Sequence, residues 1–332
     1  LPIYCITSCG KVGRCQIFFS RPHKFFYWGL FLLNLPFFPL KFPVCGWIMQ
    51  DTPSSKARAE RSFRIVADVS LKAAVEELLA AQGYVCEQEP FSPFCYRLLQ
   101  EPVPLGRSWA AFFGYIYILD RSSMLPPLAL RPKPSETVLD MCASPGSKTS
   151  FLAQLVGTHG CVLANEPQKT RLVTLQNNLL RLNLLQTVTL SYEGQRIPLR
   201  KGSLNAVALD PPCSGWGTVR KDPKVTKMLD RLTALQRDLL RHAAALLAPH
   251  GRLLYSTCTT NVQENEEQVC FCEEVLGLSR EPLEPFLGFS YDRLPKGEGT
   301  LRINGEASQA QGFFLALLRK GDAQPDEESE PD

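Results

Sequence analysis

Two short segments in the second half of the chain each place a cysteine directly after a strand-like apolar run. Asp210-Pro211-Pro212-Cys213 follows the run 204–209, and Ser256-Thr257-Cys258-Thr259 follows the run 251–255. Ligands of an open α/β sheet bind outside the carboxyl ends of its strands, so we expect both thiols at the mouth of one crevice. A thiolate can act as a covalent nucleophile, and a second thiol can act as a general acid or base. Methylation of a pyrimidine ring carbon is a reaction that gives both thiols a role.

A glycine-containing turn and two acids indicate a cofactor that carries a nucleoside. The apolar run 137–140 ends in Asp140, and the turn Cys142-Ala143-Ser144-Pro145-Gly146-Ser147 follows. Lys148 comes directly after the turn, and the next apolar run is followed by Glu166. An acid in that second place receives ribose hydroxyls in doubly wound folds. The turn matches neither G-x-G-x-x-G nor G-x-x-x-x-G-K-[ST], which disfavours a pyrophosphate or triphosphate. S-adenosylmethionine is therefore the better fit, although helix capping is an alternative role for either acid.

Alternating strands and helices must position these residues. The apolar runs predict strands at 137–140, 161–165, 187–192, 204–210, 252–258 and 312–318. Helical spacing between them predicts helices at 148–156, 168–182, 224–248 and 262–276. This alternation is typical of an α/β fold with a doubly wound, mostly parallel sheet, which we assign to a catalytic domain at 107–320.

A small α+β lobe precedes this domain at 49–106. It contains an amphipathic helix over 70–82, where apolar residues recur at helical spacing, and short strands at 84–85 and 95–98. The tail 321–332 carries six acids and two prolines, and we expect it to be disordered.

Residues 1–48 differ in composition from the rest of the chain. They hold five basic residues and no acid, and they show neither helical nor strand periodicity. The uncharged run 25–40 is short for a membrane span of about 20 residues and contains two prolines, so we expect no membrane span. We interpret Met49 as the native start and residues 1–48 as upstream translated sequence.

Overall composition indicates a globular protein of a reducing compartment. Of the 332 residues 45% are apolar and 21% are charged, which is ordinary for a folded chain. Twelve cysteines form no compact secreted framework, so we expect free thiols and a cytoplasmic location. The net charge of the chain is +3, and residues 1–48 contribute five positive charges to it, so the rest of the chain is net negative. Affinity for nucleic acid must therefore come from a local basic stripe.

Three motifs together resemble the signature motifs of the Nol1/Nop2/Sun (Fmu) RNA cytosine-C5 methyltransferases. They are the segments 140–149 (DMCASPGSKT), 210–215 (DPPCSG) and 256–259 (STCT). Shorter similar pieces lie at 118–126, 263–266 and 312–314, and the resemblance runs in family order from about 56 to 320. It implies a Rossmann-like class I S-adenosylmethionine-dependent methyltransferase fold.

The resemblance also implies roles for individual residues. Cys258 would add to cytosine carbon 6, Cys213 would assist product release, and Asp210 would lie beside the cofactor's methionine moiety and the cytosine edge. The remaining cofactor contacts that it implies are Cys142, Ala143, Ser144, Pro145, Gly146, Lys148, Glu166 and Glu193. Glu193 stands where the family has Asp, and the region around Arg302 departs from the family's Pro-His pattern.

The implied substrate is an unstacked cytosine in single-stranded or loop RNA, ribosomal first and transfer RNA as the alternative. Arg220, Lys221 and Lys224 beside Trp216 are candidate RNA contacts. The basic segment 56–61 is either a second RNA contact or a solvated helix face. Only four histidines and no paired C-x-x-C argue against a metal, and we expect a monomer. Two alternatives stay open: an Asp-Pro-Pro-type amino methyltransferase and a catalytically idle RNA-binding assembly factor.

Overall fold

The computed structural model describes residues 4–6, 12–14, 61–67, 69–217, 228–293 and 297–322. The chain divides into two compact units, 1–58 and 59–332. In the first unit, strands β1 (Tyr4–Ile6) and β2 (Val12–Arg14) pair antiparallel. The other residues of that unit lie outside the described part, as does the tail from 323 onward, so the expectations for both ends of the chain stay predictions.

The second unit begins with an antiparallel four-stranded sheet in the order β4-β5-β3-β6. Its strands are β3 (Ser62–Ile65), β4 (Val85–Gln88), β5 (Cys95–Gln100) and β6 (Ile116–Ile118). Helix α1 (Val69–Ala81) buries Val75 and Leu79 in one cluster with Phe63, as their helical spacing predicts. The sheet extends past the predicted boundary at 106, because β6 pairs with β3.

The larger sheet has the order β12-β14-β11-β10-β7-β8-β9, with β13 paired to β14. Its strands are β7 (Thr137–Asp140), β8 (Cys161–Asn165), β9 (Thr187–Leu190), β10 (Leu204–Leu209), β11 (Leu247–Thr257), β12 (Leu278–Glu281), β13 (Leu301–Ile303) and β14 (Phe313–Lys320). Strands β7 to β11 pair parallel, and β14 runs antiparallel to β11. The predicted doubly wound, mostly parallel sheet is confirmed.

Helices cover both faces of this sheet. They are α3 (Leu125–Leu130), α4 (Ser147–Val156), α5 (Lys169–Arg181), α6 (Leu229–Leu246) and α7 (Glu266–Glu274). Helix α2 (Trp109–Phe112) instead packs in the small lobe, in the same cluster as α1. The predicted helix 262–276 is divided, because a 3₁₀ turn (Val262–Glu264) precedes α7. None of the described helices is long and apolar enough to cross a membrane.

The core follows the two-residue alternation of the strands. In β10, Val207 and Leu209 join the cluster that contains Leu239 of α6, whereas Ala206 and Ala208 join the cluster on the opposite face. All four β10 residues are buried. Because helices cover both faces of the sheet, the sequences of its strands are mostly apolar, and the polar residues of interest follow directly after the strand ends.

Candidate active site

The two predicted thiols lie side by side at the carboxyl ends of neighbouring strands. Strands β10 and β11 are parallel, with Leu209 opposite Tyr255. The loop after β10 begins with Asp210 and carries Cys213, and Cys258 directly follows β11. The Cys213 and Cys258 sulfur atoms are 3.3 Å apart, although 45 positions separate the two residues in sequence. Both side chains are half-buried, so the pair remains accessible from the crevice.

Electrostatics distinguish the two thiols. A hydrogen bond from the Cys213 S–H to the Cys258 sulfur lowers the pKa of Cys258 and raises the pKa of Cys213. Burial and the Asp210 carboxylate oppose the shift at Cys258, and the Lys148 ammonium reinforces it. Of the two thiols, Cys258 is thus the one that ionises more readily, and it is the residue expected to be the nucleophile.

Lys148 and Asp210 form an ion pair beside the thiols. The Lys148 Nζ lies 2.7 Å from Asp210 Oδ2, and the Ser256 hydroxyl donates to Asp210 Oδ1 at 3.3 Å. Burial alone would lower the pKa of Lys148, but the Asp210 and Asp140 carboxylates raise it overall. Lys148 therefore stays cationic at neutral pH, and its charge favours the thiolate form of Cys258.

The turn between β7 and α4 is anchored on α5. Arg171 donates to the Ser144 carbonyl at 3.0 Å, the Ser144 hydroxyl donates to the Arg171 carbonyl at 3.0 Å, and Asn178 donates to the Pro145 carbonyl at 2.8 Å. Gly146 precedes α4 with φ of 104°, a conformation that L side chains rarely adopt. It gives the helix no side-chain cap, so the first N–H groups of α4 keep hydrogen-bonding capacity at the crevice.

Asp140 and two residues of the turn, Cys142 and Ala143, lie on the buried side of the turn between β7 and α4. Ala143 donates its N–H to the Asn165 carbonyl at 2.9 Å, and burial raises the pKa of Cys142, which keeps that thiol protonated. Burial also raises the pKa of Asp140 to about 6, although a 2.7 Å hydrogen bond from the Thr149 hydroxyl opposes the shift. The contacts of Asp140 and Ala143 therefore hold the start of the turn in place.

The two predicted acids of the cofactor pocket differ in their surroundings. Glu166 follows β8 and is 2% exposed; its Oε1 accepts from the Gln168 N–H at 2.9 Å, and its Oε2 lies 3.4 Å from Arg171 Nη1. Glu193 lies three positions beyond β9 and is exposed. Glu166 is therefore the more strongly oriented of the two carboxylates.

Three buried polar residues near the site were not singled out as functional from the sequence. The Asn165 side chain donates to the carbonyls of Met141 and Tyr192, at 3.2 and 2.9 Å, and so joins the loops that follow β7 and β9. Gln236 and Glu264 lie behind the two cysteine loops and are fully buried. A polar residue at the end of an apolar run was the available signal for Asn165. Glu264 lies in the similar piece at 263–266, to which no role was assigned, and Gln236 gave no signal.

The sequence-predicted RNA contacts are only partly covered by the structure. Residues 56–60 and 218–227, which include Arg220, Lys221 and Lys224, lie outside the described part. Arg302, in the region that departs from the family's Pro-His pattern and was not predicted to contact RNA, pairs instead with both Glu266 carboxylate oxygens at 2.5 and 2.6 Å. Across the described residues no group of three or more His, Cys, Asp or Glu side chains is placed to hold a metal ion.

Known proteins with similar sequences are ribosomal RNA methyltransferases. Ribosomal RNA small subunit methyltransferase F of Salmonella heidelberg (strain SL476) is 37% identical over 284 residues, which are 80% of this chain and 58% of the relative. The corresponding protein of Shewanella loihica is 34% identical over 269 residues, covering 76% and 55% of the two chains. The chain thus spans a little over half the length of these relatives.

Solved structures and a family comparison give the same assignment. A methyltransferase homologue from Pyrococcus horikoshii superposes with a TM-score of 0.69 at 31% identity, covering 79% of this chain and 87% of its own. Residues 127–319 match the family described as 16S rRNA methyltransferase RsmB/F. These similarities confirm the Rossmann-like methyltransferase fold and the expected cofactor, S-adenosylmethionine. The chain belongs to the RsmB/F family of 16S rRNA methyltransferases, within the Nol1/Nop2/Sun group that its motifs resemble.

Proposed function

We propose that this chain forms 5-methylcytosine in RNA of the small ribosomal subunit, with Cys258 as the nucleophile and Cys213 as the proton-transfer group. The observation that carries this proposal is the 3.3 Å separation of two thiols at the ends of β10 and β11. Methyl transfer to an exocyclic amino group needs no thiol. The substrate class is supported by the relatives, whose names specify small-subunit ribosomal RNA; transfer RNA stays the alternative.

The cofactor pocket that we propose is built from the residues that line the strand ends. Glu166 offers a buried carboxylate acceptor that suits ribose hydroxyls, and the uncapped start of α4 offers N–H groups that suit a carboxylate. Asp210 suits an ammonium group on the same cofactor. This donor set fits S-adenosylmethionine, which supplies an electrophilic methyl group when it is bound.

Cys258 starts the proposed reaction. Its thiolate adds to carbon 6 of the cytosine, which makes carbon 5 electron-rich enough to accept a methyl group. Asp210, held by Lys148 and Ser256, can interact with the N3/N4 edge of the ring and so favour the shift of electrons. The cationic Lys148 offsets negative charge that develops near the ring.

Cys213 then completes the reaction. While Cys258 is a free thiolate, the hydrogen bond between the sulfurs holds the proton on Cys213. Once Cys258 is bonded to carbon, this hydrogen bond to an anion is lost, so Cys213 releases its proton to solvent more readily, and the resulting thiolate can accept the carbon-5 proton. Loss of that proton restores the double bond and expels the Cys258 thiolate.

Trapping of a covalent adduct tests this proposal. The full chain with Cys213→Ala would be incubated with S-adenosylmethionine and small-subunit RNA from a host that lacks the enzyme, and separated on a denaturing gel. We expect a protein–RNA adduct that Cys213→Ala/Cys258→Ala does not form. Methyl transfer by the wild-type protein without an adduct would favour amino methylation. Cofactor binding without any turnover would favour an idle RNA-binding factor.

The remaining expectations for the whole protein stay predictions. They are a monomeric state, the absence of a bound metal and a cytoplasmic location. Size-exclusion chromatography with light scattering, elemental analysis and fractionation of the host cell would check them in turn.

A further inference from the structure

A buried carboxyl group lies behind the two thiol-bearing loops. Glu264 is fully buried in the 3₁₀ turn before α7. Its Oε1 accepts from the Ser214 N–H at 2.9 Å and from Gln236 Nε2 at 3.0 Å, and its Oε2 accepts from the Ser214 hydroxyl at 2.5 Å. Three hydrogen bonds thus fix this carboxyl group, and two of them come from the residue that directly follows Cys213.

The same side chains hold the loop from its other end and reach the second cysteine. Gln236 also donates to the Pro212 carbonyl at 3.0 Å, so Cys213 is flanked on both sides by residues tied to Glu264. The Ser214 hydroxyl lies 2.6 Å from the Thr259 hydroxyl, and Thr259 directly follows Cys258. A continuous chain of hydrogen bonds therefore connects the backbone beside one thiol to the backbone beside the other.

Asn265, the next residue along the chain, secures the Cys258 loop in the same way. Its amide donates to the Thr259 carbonyl at 2.9 Å and its oxygen accepts from the Thr257 hydroxyl at 2.5 Å. The two residues that flank Cys258 thus bond to Asn265. Because Glu264 and Asn265 are adjacent, movement of one cysteine loop relative to the other would break several buried hydrogen bonds at once.

We propose that Glu264 is a positioning residue that holds Cys213 and Cys258 in register through Ser214 and Thr259. It touches neither sulfur. Glu264 fixes the relative positions of the two cysteine loops, which follow different strands and share no covalent link. The catalytic consequence of this placement rests on the function proposed above, whereas the placement itself can be measured without RNA or cofactor.

The proximity of the thiols can be measured as the ease with which they form a disulfide. The full chain would be equilibrated in mixtures of oxidised and reduced glutathione, and the Cys213–Cys258 disulfide quantified by peptide mass mapping. Thiols held together oxidise at a lower ratio of oxidised to reduced glutathione, because their effective concentration is high. We expect Ser214→Ala, which removes the hydroxyl link, to need a ratio about three- to tenfold higher than the wild type.

Two substitutions of Glu264 separate hydrogen bonding from charge. Glu264→Gln can keep all three contacts if its oxygen faces the Ser214 N–H and Gln236, and its amide donates to the Ser214 hydroxyl. We therefore expect Glu264→Gln to oxidise like the wild type and Glu264→Ala to shift in the same direction as Ser214→Ala. Glu136→Gln is the matched control. Glu136 directly precedes β7 and pairs with Arg252 at the opposite end of the sheet from the thiols, so its substitution should leave their oxidation unchanged.

The outcomes are decisive in both directions. Thermal unfolding shows which variants are folded. If Glu264→Ala does not fold, the glutathione midpoint of Ser214→Ala alone tests the proposal. Equal glutathione midpoints for Ser214→Ala and the wild type, or a wild type that forms no Cys213–Cys258 disulfide, would overturn the proposal. If the wild type methylates RNA, Ser214→Ala should also lower kcat, leave KM for S-adenosylmethionine unchanged and prolong the covalent adduct. A shift in the glutathione midpoint without methylation by the wild type would reject the proposed function and leave the positioning role intact.

Discussion

Removal of Cys213 should weaken the Cys258 nucleophile as well as product release. The Cys213 and Cys258 sulfur atoms are 3.3 Å apart, and a hydrogen bond from Cys213 to the Cys258 thiolate is the largest cause of the lowered pKa of Cys258. Cys213→Ala deletes the donor, while burial and Asp210, which both raise the pKa of Cys258, remain. The thiolate of Cys258 should therefore be less populated in the variant at neutral pH.

The size of the effect follows from the energy of the lost bond. A hydrogen bond to a charged group contributes about 1.5 to 3 kcal/mol. Since about 1.4 kcal/mol corresponds to a factor of ten, the thiolate fraction at a given pH should fall about 10- to 100-fold. A thiol is a weak donor, so we expect the lower end of this range, about tenfold.

Alkylation kinetics measure this change directly. Iodoacetamide reacts with thiolates, so the rate at Cys258 against pH, followed by peptide mass mapping, reports the ionised fraction. Burial raises the pKa of Cys86 and Cys95 to about 11 and that of Cys272 to about 12, so these thiols should react slowly near neutral pH. We expect Cys213→Ala to move the profile to higher pH and Cys213→Ser, whose hydroxyl is still a donor, to move it less.

An unchanged or faster alkylation of Cys258 in Cys213→Ala would refute this reasoning, because it would mean that the pair shares no proton or that Cys213 carries the charge. If the prediction holds, the Cys213→Ala adduct should form more slowly than in the wild type at neutral pH and recover at alkaline pH. The trapping experiment should accordingly be run across a range of pH.

Three further predictions concern the cofactor turn and its acids. Folding raises the pKa of Asp140 from 3.8 to about 6, so the protonated group stabilises the fold below pH 3.8 and this stabilisation is lost as pH rises through 6. The loss amounts to about 3 kcal/mol in the free energy of unfolding. Asp140→Asn should abolish it, as measured by denaturant unfolding at several pH values. Gly146→Ala should reduce the free energy of unfolding by about 1 to 3 kcal/mol in the same assay, because φ is 104° and the new Cβ would lie 3.0 Å from Leu175. Glu166→Gln should weaken S-adenosylmethionine binding about tenfold by calorimetry, and more than Glu193→Gln does, because only Glu166 is buried and oriented.

Local patterns in the sequence determined the elements and the places where chemistry is possible. The continuous apolar run of β10 and the helical spacing of Val75 and Leu79 report burial directly, because periodicity depends only on neighbours along the chain. Motifs after such runs must lie at strand ends, so the presence of Asp210, Cys213 and Cys258 at one edge of the sheet was predictable.

Only the tertiary structure decided how these groups interact. The pairing of β10 with β11 brings the sulfur atoms of two residues 45 positions apart to 3.3 Å, and the hydrogen bond between them lowers the pKa of Cys258. The helix expected over 262–276 is interrupted where Asn265 turns its side chain to Thr257 and Thr259, a competition between side-chain and helical hydrogen bonds. Separations, burial and pKa values depend on residues that are remote in sequence. For this reason the sequence marked the piece 263–266 without assigning a role to Glu264, and only the fold placed that residue behind both cysteines.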